Sequence, residues 1–522
     1  MSFARVYSAQ THLIKGKIVT VEVDITKNTL HAFTLVGLPD KAVDESKDRM
    51  SSALKNSGFA SPKNQNQKIV ISLSPADLKK EGPYFDLAIA LAYLLSAEEI
   101  DFDPKDRVFL GELSLNGELQ PIKGALPLAE AAKKLGFKEI YLPIMNAKEA
   151  ALVDGITIYG AKTLKEVIDH IYKIKYDKKG NPLEQEKPKL KPQPKTIIEY
   201  AKKNPEIDFS DIRGQEAAKR GLEIAASGGH NIAMSGPPGT GKTMLARVFS
   251  NILPELKKDD VLEITGIHSV VGQLDGELVT EPPFRAPHHT ASYVSMIGGG
   301  SIPKPGEVTL AHKGVLFLDE FPEFEKRVLE SLRQPLEDNF VSISRAKESA
   351  IFPSNFILVA AMNPCPCGNR GNKQKTCICK PSDLDKYQRK LSGPIMDRID
   401  IWVTVGAVDY DKLSNMEQVG DKTFNIKDRV KMARDIQAKR FKNAARKISS
   451  NSEMNVKELG IYAPLTPEIK QLLNQSAEKL QLSARAYHRV IKLARTIADL
   501  EGSENINQPH ILEALQYRPR VN

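Results

Sequence analysis

The eight residues Gly236-Pro237-Pro238-Gly239-Thr240-Gly241-Lys242-Thr243 constrain this chain more than any other stretch. They fit the spacing G-x-x-x-x-G-K-S/T, follow the apolar run Ile232-Ala233-Met234 and precede a helix-compatible segment, Met244 to Phe249. A strand, a glycine-rich loop and a helix in that order predict a phosphate-binding loop. The glycines let successive backbone N–H groups turn inward on a polyphosphate, and the helix N-terminus adds a favourable dipole. In that frame Lys242 reaches the β- and γ-phosphates of ATP, and Thr243 ligates Mg²⁺. An ordinary turn has no use for the Lys-Thr pair after Gly241.

A second motif separates hydrolysis from binding alone. Val315-Leu316-Phe317-Leu318-Asp319-Glu320 is a continuous apolar run, typical of a buried parallel strand, ending in two acids. Asp319 is expected to hold the Mg²⁺ shell and Glu320 to polarise the attacking water as general base. Lys242 and Asp319 are 77 positions apart, which leaves room for an inserted element between Phe249 and Leu310.

At 522 residues the chain has room for about three domains. Its net charge of +9 suits a polyanionic partner without requiring one. The longest apolar stretch, Phe85 to Ala97, is interrupted by Asp86 and too short to span a bilayer. With no secretory pattern at the N-terminus, a cytoplasmic protein without a membrane partner is expected.

Residues 1–172 alternate strand-like and helix-like runs: Ile18–Val23, Phe33–Val36, a helix over Lys41–Ser57, Ile69–Leu73, a helix over Asp86–Leu95, a hairpin at Asn116-Gly117 and a helix over Pro127–Leu135. This predicts an α/β domain without a phosphate loop. Between Lys173 and Lys195 stand eight Lys, three acids and the prolines Pro182, Pro188, Pro192 and Pro194, so residues 173–207 are expected to be an exposed linker. The nucleotide domain is placed at 208–408. Residues 409–522 are helical in pattern, with Arg485, Arg489, Lys492 and Arg495 spaced along one helix side.

All four cysteines, Cys365, Cys367, Cys377 and Cys379, fall within 15 residues as two C-x-C pairs. Such clustering favours a thiolate metal site over disulfides. The preferred reading is structural Zn²⁺; an iron–sulfur cluster and reduced, unliganded thiols are the alternatives, since the spacing departs from the usual C-x₂-C. Arg370, Lys373, Lys375 and Lys380 in this loop suit either phosphate contact or solvation. His288-His289 lack a ligand partner at helical spacing, and a structural or interface role is expected for them.

These pieces together resemble the ComM/YifB group of bacterial magnesium-chelatase-like AAA+ ATPases, from end to end. The carrying blocks are GPPGTGKT, FRAPHHTAS, GEVTLAHKGVLFLDE, AAMNPCPCG, SGPIMDRID and SARAYHRVIKLARTIADL. The resemblance implies an α/β fold: an AAA+ parallel five-stranded αβα nucleotide domain with a C-terminal helical lid, behind a ribosomal-S5-like, Lon-protease-like α/β domain. It implies active sites shared between neighbours in a homo-oligomeric ring, usually a hexamer. It places sensor 1 at Asn363, after the apolar run Phe356–Met362, a trans-acting arginine finger at Arg398, and sensor 2 at Arg485. Hairpins of this clade project toward the ring's pore, so Arg345 and Lys347 are expected at such a tip, gripping DNA or merely solvated.

In active Lon proteases a Gly-Pro-Ser-Ala-Gly segment bears the nucleophile and a later Lys activates it. Here the matching segments are Gly82-Pro83-Tyr84-Phe85-Asp86 and Pro121–Leu126, with Tyr84 for the Ser and Leu126 for the Lys, so peptidase activity is not expected. The resemblance points instead to a motor on branched or single-stranded DNA, with branch migration in homologous recombination and natural transformation as its task. The competing reading is the motor subunit of a metal-chelatase-type machine with a protein client. The N-terminal domain and the lack of a D-x-S-x-S metal-adhesion pattern weigh against it.

Overall fold

The computed structural model describes residues 3–173, 189–200, 207–274, 278–300, 302–344, 349–371, 375–406 and 420–519. Arg345, Lys347, Lys373, Pro182 and Pro188 lie outside the described residues. The chain divides into two units, residues 1–199 with 258–279, and residues 200–257 with 280–522.

The first unit is built on a seven-stranded sheet in the order Ala32–Val36, Gln67–Ser74, Lys15–Lys27, Phe3–His12, Arg107–Phe109, Glu139–Pro143, Thr157–Ala161. Lys15–Lys27 pairs antiparallel with both its neighbours, and the other pairs are parallel. Val19, Val21, Val23 and Ile25 alternate inward, as β-branched residues at period two do. Helix Asp86–Ser96, apolar nearly all round, lies buried in the same core. The expected helix over 41–57 breaks at Glu45 into Lys41–Asp44 and Ser46–Asn56. The expected hairpin forms from Glu112–Leu113 and Leu119–Gln120.

Asp86, fully buried at the start of its helix, accepts from Arg49 Nε at 2.6 Å and from the Leu113 N–H at 3.1 Å. A buried charge left without its partner is costly. Asp86→Ala is therefore expected to destabilise this unit by about 3 kcal/mol, measured by urea unfolding; a loss under about 1 kcal/mol would show that the pair carries little.

The inserted element for which the sequence leaves room between Phe249 and Leu310 does not group with the rest of 208–408: helix Lys258–Val271 groups with the first unit. Leu262 and Leu278 pack onto the cluster of Leu126, Leu128 and Ala129, and Ser269 Oγ accepts from the Gly124 N–H at 2.8 Å. Nor is the expected linker wholly free. Its part at 189–199 runs along the same unit, with Gln193 N–H donating to Ile158 O at 2.7 Å and Thr196 N–H to Ala151 O at 3.2 Å. The strand Thr157–Ala161 is a sheet edge, and its Ile158 carbonyl takes the passing chain.

The second unit holds a five-stranded, all-parallel sheet in the order Phe284–Arg285, Val315–Leu318, Ile357–Met362, Ile232–Ser235, Ile401–Thr404. The three central strands are almost wholly apolar and buried, as a sheet covered on both faces requires. Helices Thr423–Arg440, Val456–Tyr462, Pro467–Lys479, Ala484–Leu500 and Gln508–Gln516 form the lid region. Val430, Leu473, Val490 and Ile497 share one apolar cluster with Ile232, Phe249 and Val359, so lid and sheet have a common core.

A buried polar network joins them as well. His230 Nδ1 lies 3.2 Å from Asp400 and its Nε2 2.8 Å from Thr496 Oγ1, while Arg489 donates to Asp400 at 2.6 Å. Burial acts to raise the Asp400 pKa, but Arg489 and His230 hold it well below the usual carboxylate range. The expected basic ridge therefore divides. Arg485, Arg489 and Lys492 share one helix face, whereas Arg495 turns inward onto Asp499 at 2.9 Å.

Candidate nucleotide site and cysteine cluster

Parallel strands end together, so the loops after Ile232–Ser235, Val315–Leu318 and Ile357–Met362 meet at one sheet edge. The first is the phosphate loop. Gly236 abuts Val405, whose carbonyl oxygen would stand 2.0 Å from an added Cβ, so no side chain fits there. Gly239 and Gly241 have φ of +77° and +86°, and open space lies where their side chains would be. Glycine there meets a backbone requirement and leaves the loop's concave face clear. Thr240 Oγ1 donates to Pro237 O at 2.9 Å, and Gly241 caps helix Lys242–Asn251.

Lys242 is only 8% exposed. Its amine donates to Gly236 O and Pro237 O at 2.8 Å and to Asn363 Oδ1 at 3.3 Å. Burial lowers its pKa, and the charge of Asp319 opposes that shift. Thr243 Oγ1 donates to Asp319 Oδ2 at 2.9 Å. A hydroxyl and a carboxylate brought together are hard oxygen donors of the kind Mg²⁺ takes.

Glu320 sits in the left-handed region at φ +51°, a strained conformation for a residue with a side chain, and its N–H donates to Asp319 Oδ1 at 2.9 Å. Its carboxylate lies 3.1 Å from His289 Nδ1. His288 packs against His289 with ring centroids 4.1 Å apart. His289 thus touches the expected general base, a more specific placement than the structural or interface role read from sequence. It follows the two-residue strand Phe284–Arg285, which runs parallel to Val315–Leu318 and so delivers its exit loop beside Asp319 and Glu320. So short a strand leaves no period to read, and the Pro-His-His run was the only signal.

Asn363 follows Ile357–Met362 and faces Lys242. Its backbone carbonyl accepts from the Tyr387 hydroxyl at 3.0 Å. Two residues on, Cys365 begins the cysteine cluster. The four sulfurs lie within 4.8 Å of one another, with pairs at 3.5, 3.6 and 3.7 Å. The Arg370 N–H donates to Cys365 Sγ at 3.3 Å and the Cys367 N–H to Cys379 Sγ at 3.4 Å. Backbone N–H groups of Asn369 and Ile378 draw the Cys367 thiol down, whereas burial and the neighbouring thiols, outweighing their own backbone N–H partners, push Cys377 and Cys379 up.

Arg398 and Arg485 meet elsewhere. Both guanidiniums grip the carboxylate of Glu337, and Arg398 also donates to Pro394 O at 2.6 Å and Arg333 O at 3.2 Å. The pair lines a cavity of about 690 Å³ together with Arg446, Arg489 and Lys492, and no residue of 236–243 lines it. Sequence patterning did not single out Glu337, because an acid on a short helix carries no motif.

In the first unit, Tyr84 and Leu126 are packed in apolar core. The Tyr84 hydroxyl lies 3.4 Å from Thr11 Oγ1, and burial raises its pKa. Neither position supplies a nucleophile or an amine of the protease kind.

The family described as "Magnesium chelatase, subunit ChlI" matches residues 208–413, and "Magnesium chelatase, subunit ChlI C-terminal" matches 420–518. A third description, "Subunit ChlI of Mg-chelatase", matches 21–146, so the N-terminal domain does not by itself separate this chain from chelatase subunits. Competence protein ComM of Haemophilus influenzae is 42% identical over 100% of this chain and 98% of its own length, and YifB of Escherichia coli is 39% identical over 99% and 97%. Lon protease 2 of Bacillus subtilis is 28% identical over 30% of each chain. With a parallel AAA+ core, a helical lid and full-length relatives at this identity, the chain belongs to the ComM/YifB family of magnesium-chelatase-like AAA+ ATPases.

Proposed function

We propose that this protein is an ATP-hydrolysing ring motor that acts on DNA, with branch migration of recombination intermediates as its task. One observation carries the motor reading. Lys242, Thr243, Asp319, Glu320 and Asn363 converge at one sheet edge, while Arg398 and Arg485 are gathered at a separate cavity. Such a division suits sites completed between neighbouring subunits, and a hexameric ring is the assembly proposed.

In this reading Lys242 and the loop amides hold the β- and γ-phosphates of ATP, and Thr243 and Asp319 hold Mg²⁺, which neutralises developing charge. Glu320 takes the proton of the attacking water, Asn363 orients that water, a neighbour's Arg398 stabilises charge on the γ-phosphate, and Arg485 serves as sensor 2. The net charge of +9 and the likeness to a competence protein support DNA as the partner.

The four cysteines fit a single Zn²⁺. Metal–sulfur bonds of about 2.3 Å in a tetrahedron give sulfur–sulfur edges of about 3.8 Å, close to the observed pairs. A multi-iron cluster spreads its cysteines over a wider box. The metal's role there is structural, as a closed four-sulfur site implies.

The test is the ATPase rate with no DNA, single-stranded DNA, duplex and a four-way junction at fixed salt. Stimulation of at least several-fold by the junction supports the DNA motor. A rate indifferent to every DNA supports the second reading, a chelatase-type motor with a protein client, which the family descriptions favour.

A further inference from the structure

We infer that the cysteine cluster is a positioning device for hydrolysis: the bound metal ties the segment carrying Asn363 to the helix carrying Tyr387, and turnover depends on its occupancy. The inference rests on the metal reading above and adds its consequence for the nucleotide site.

The two C-x-C hooks lie between Asn363 and Tyr387 in sequence. Cys365 and Cys367 follow Asn363 after one proline, and Cys377 and Cys379 lead into helix Pro381–Arg389. That helix has no fully buried residue, so no apolar core holds it in place. Among the described residues its anchors include the Tyr387 hydroxyl on Asn363 O and, just beyond it, an exposed Lys390–Glu323 pair at 2.6 Å. An exposed pair of this kind holds weakly. Four metal–thiolate bonds are the strong link between the two segments.

The loop also bears on the phosphate loop. At Gly368, with φ +76°, an added Cβ would stand 2.7 Å from Pro238 Cδ, so loop and phosphate loop are in close contact. The Asn363 side chain faces the Lys242 amine at 3.3 Å, while its carbonyl is held by Tyr387. Burial raises the Tyr387 phenol to about 12, so it remains a donor at neutral pH. Tyr387, Asn363 and Lys242 thus form one chain of contacts, and the cysteine cluster joins the two segments that carry Asn363 and Tyr387. Loss of that junction frees Asn363 and leaves Lys242 on Gly236 O and Pro237 O. Turnover should fall while nucleotide affinity persists.

The experiment uses the full-length protein. Elemental analysis counts the metal; 1,10-phenanthroline then removes it with Mg²⁺ left in excess, and kcat and the Kd of a non-hydrolysable ATP analogue are followed against metal content. The expected result is a fall in kcat of at least ~10-fold in step with metal loss, a Kd change under ~3-fold, and recovery on adding Zn²⁺. Tyr387→Phe, which keeps the ring and removes the hydroxyl, should lower kcat with metal content and Kd unchanged. Metal-depleted protein with full kcat, or Tyr387→Phe at wild-type kcat, overturns the coupling while the metal reading stands. Absence of stoichiometric metal overturns both.

Discussion

Arg398→Ala is expected to lower the ATPase turnover of the assembled protein by about 10³-fold or more, the scale of a lost arginine finger, with nucleotide binding retained. Arg398 is 5% exposed, and its partners are Glu337, Pro394 and Arg333, none of them in the phosphate loop. Removing it strips nothing from Lys242 or Thr243, so binding of an ATP analogue should stay within a few-fold. The fold should also survive, because the Glu337 side chain is 45% exposed and keeps Arg485. Mixing Arg398→Ala with Lys242→Ala protein provides the decisive control. A hybrid interface pairs an intact phosphate loop with an intact arginine, and activity should partly return. No recovery on mixing, or loss of ATP binding in Arg398→Ala alone, would remove Arg398 from the trans role.

Glu320→Gln should keep nucleotide binding and reduce turnover by about 10²–10⁴-fold, the usual contribution of a general base. Glutamine matches glutamate in size but cannot accept the water's proton. The strained backbone at Glu320 is unchanged by the exchange, and Thr243 and Asp319, the proposed Mg²⁺ donors, keep their mutual contact. Full turnover in this variant would refute the assignment. His289→Ala separates orientation from proton transfer. The imidazole lies against Glu320 without replacing it, so turnover should fall less than in Glu320→Gln, with ATP affinity unchanged.

Much of the candidate nucleotide site was legible in the chain because its signals are contiguous. A phosphate loop needs glycines at left-handed positions and a lysine at the helix start, and these lie within eight residues. The acids Asp319 and Glu320 end an apolar run, and Asn363 ends another; each is visible as a local change from buried strand to polar loop. The cysteine cluster is equally local, four thiols within 15 residues.

What tertiary structure alone decided is which distant segments meet. Strand order brings His289 to Glu320 through a strand of two residues, too short to carry a period. Helix Lys258–Val271 leaves the nucleotide unit because its apolar face finds partners beside Leu126, a choice made over more than a hundred residues of separation. Glu337, Arg398 and Arg485 come together from three separate segments. Tyr387 meets Asn363 across 24 residues of chain, a stretch whose four cysteines also come together. Sequence patterning determined the chemistry carried by each segment, since backbone periodicity and turn geometry act over a few residues. Packing decided the pairings, since burial and sheet order act between segments whose separation along the chain leaves no local trace.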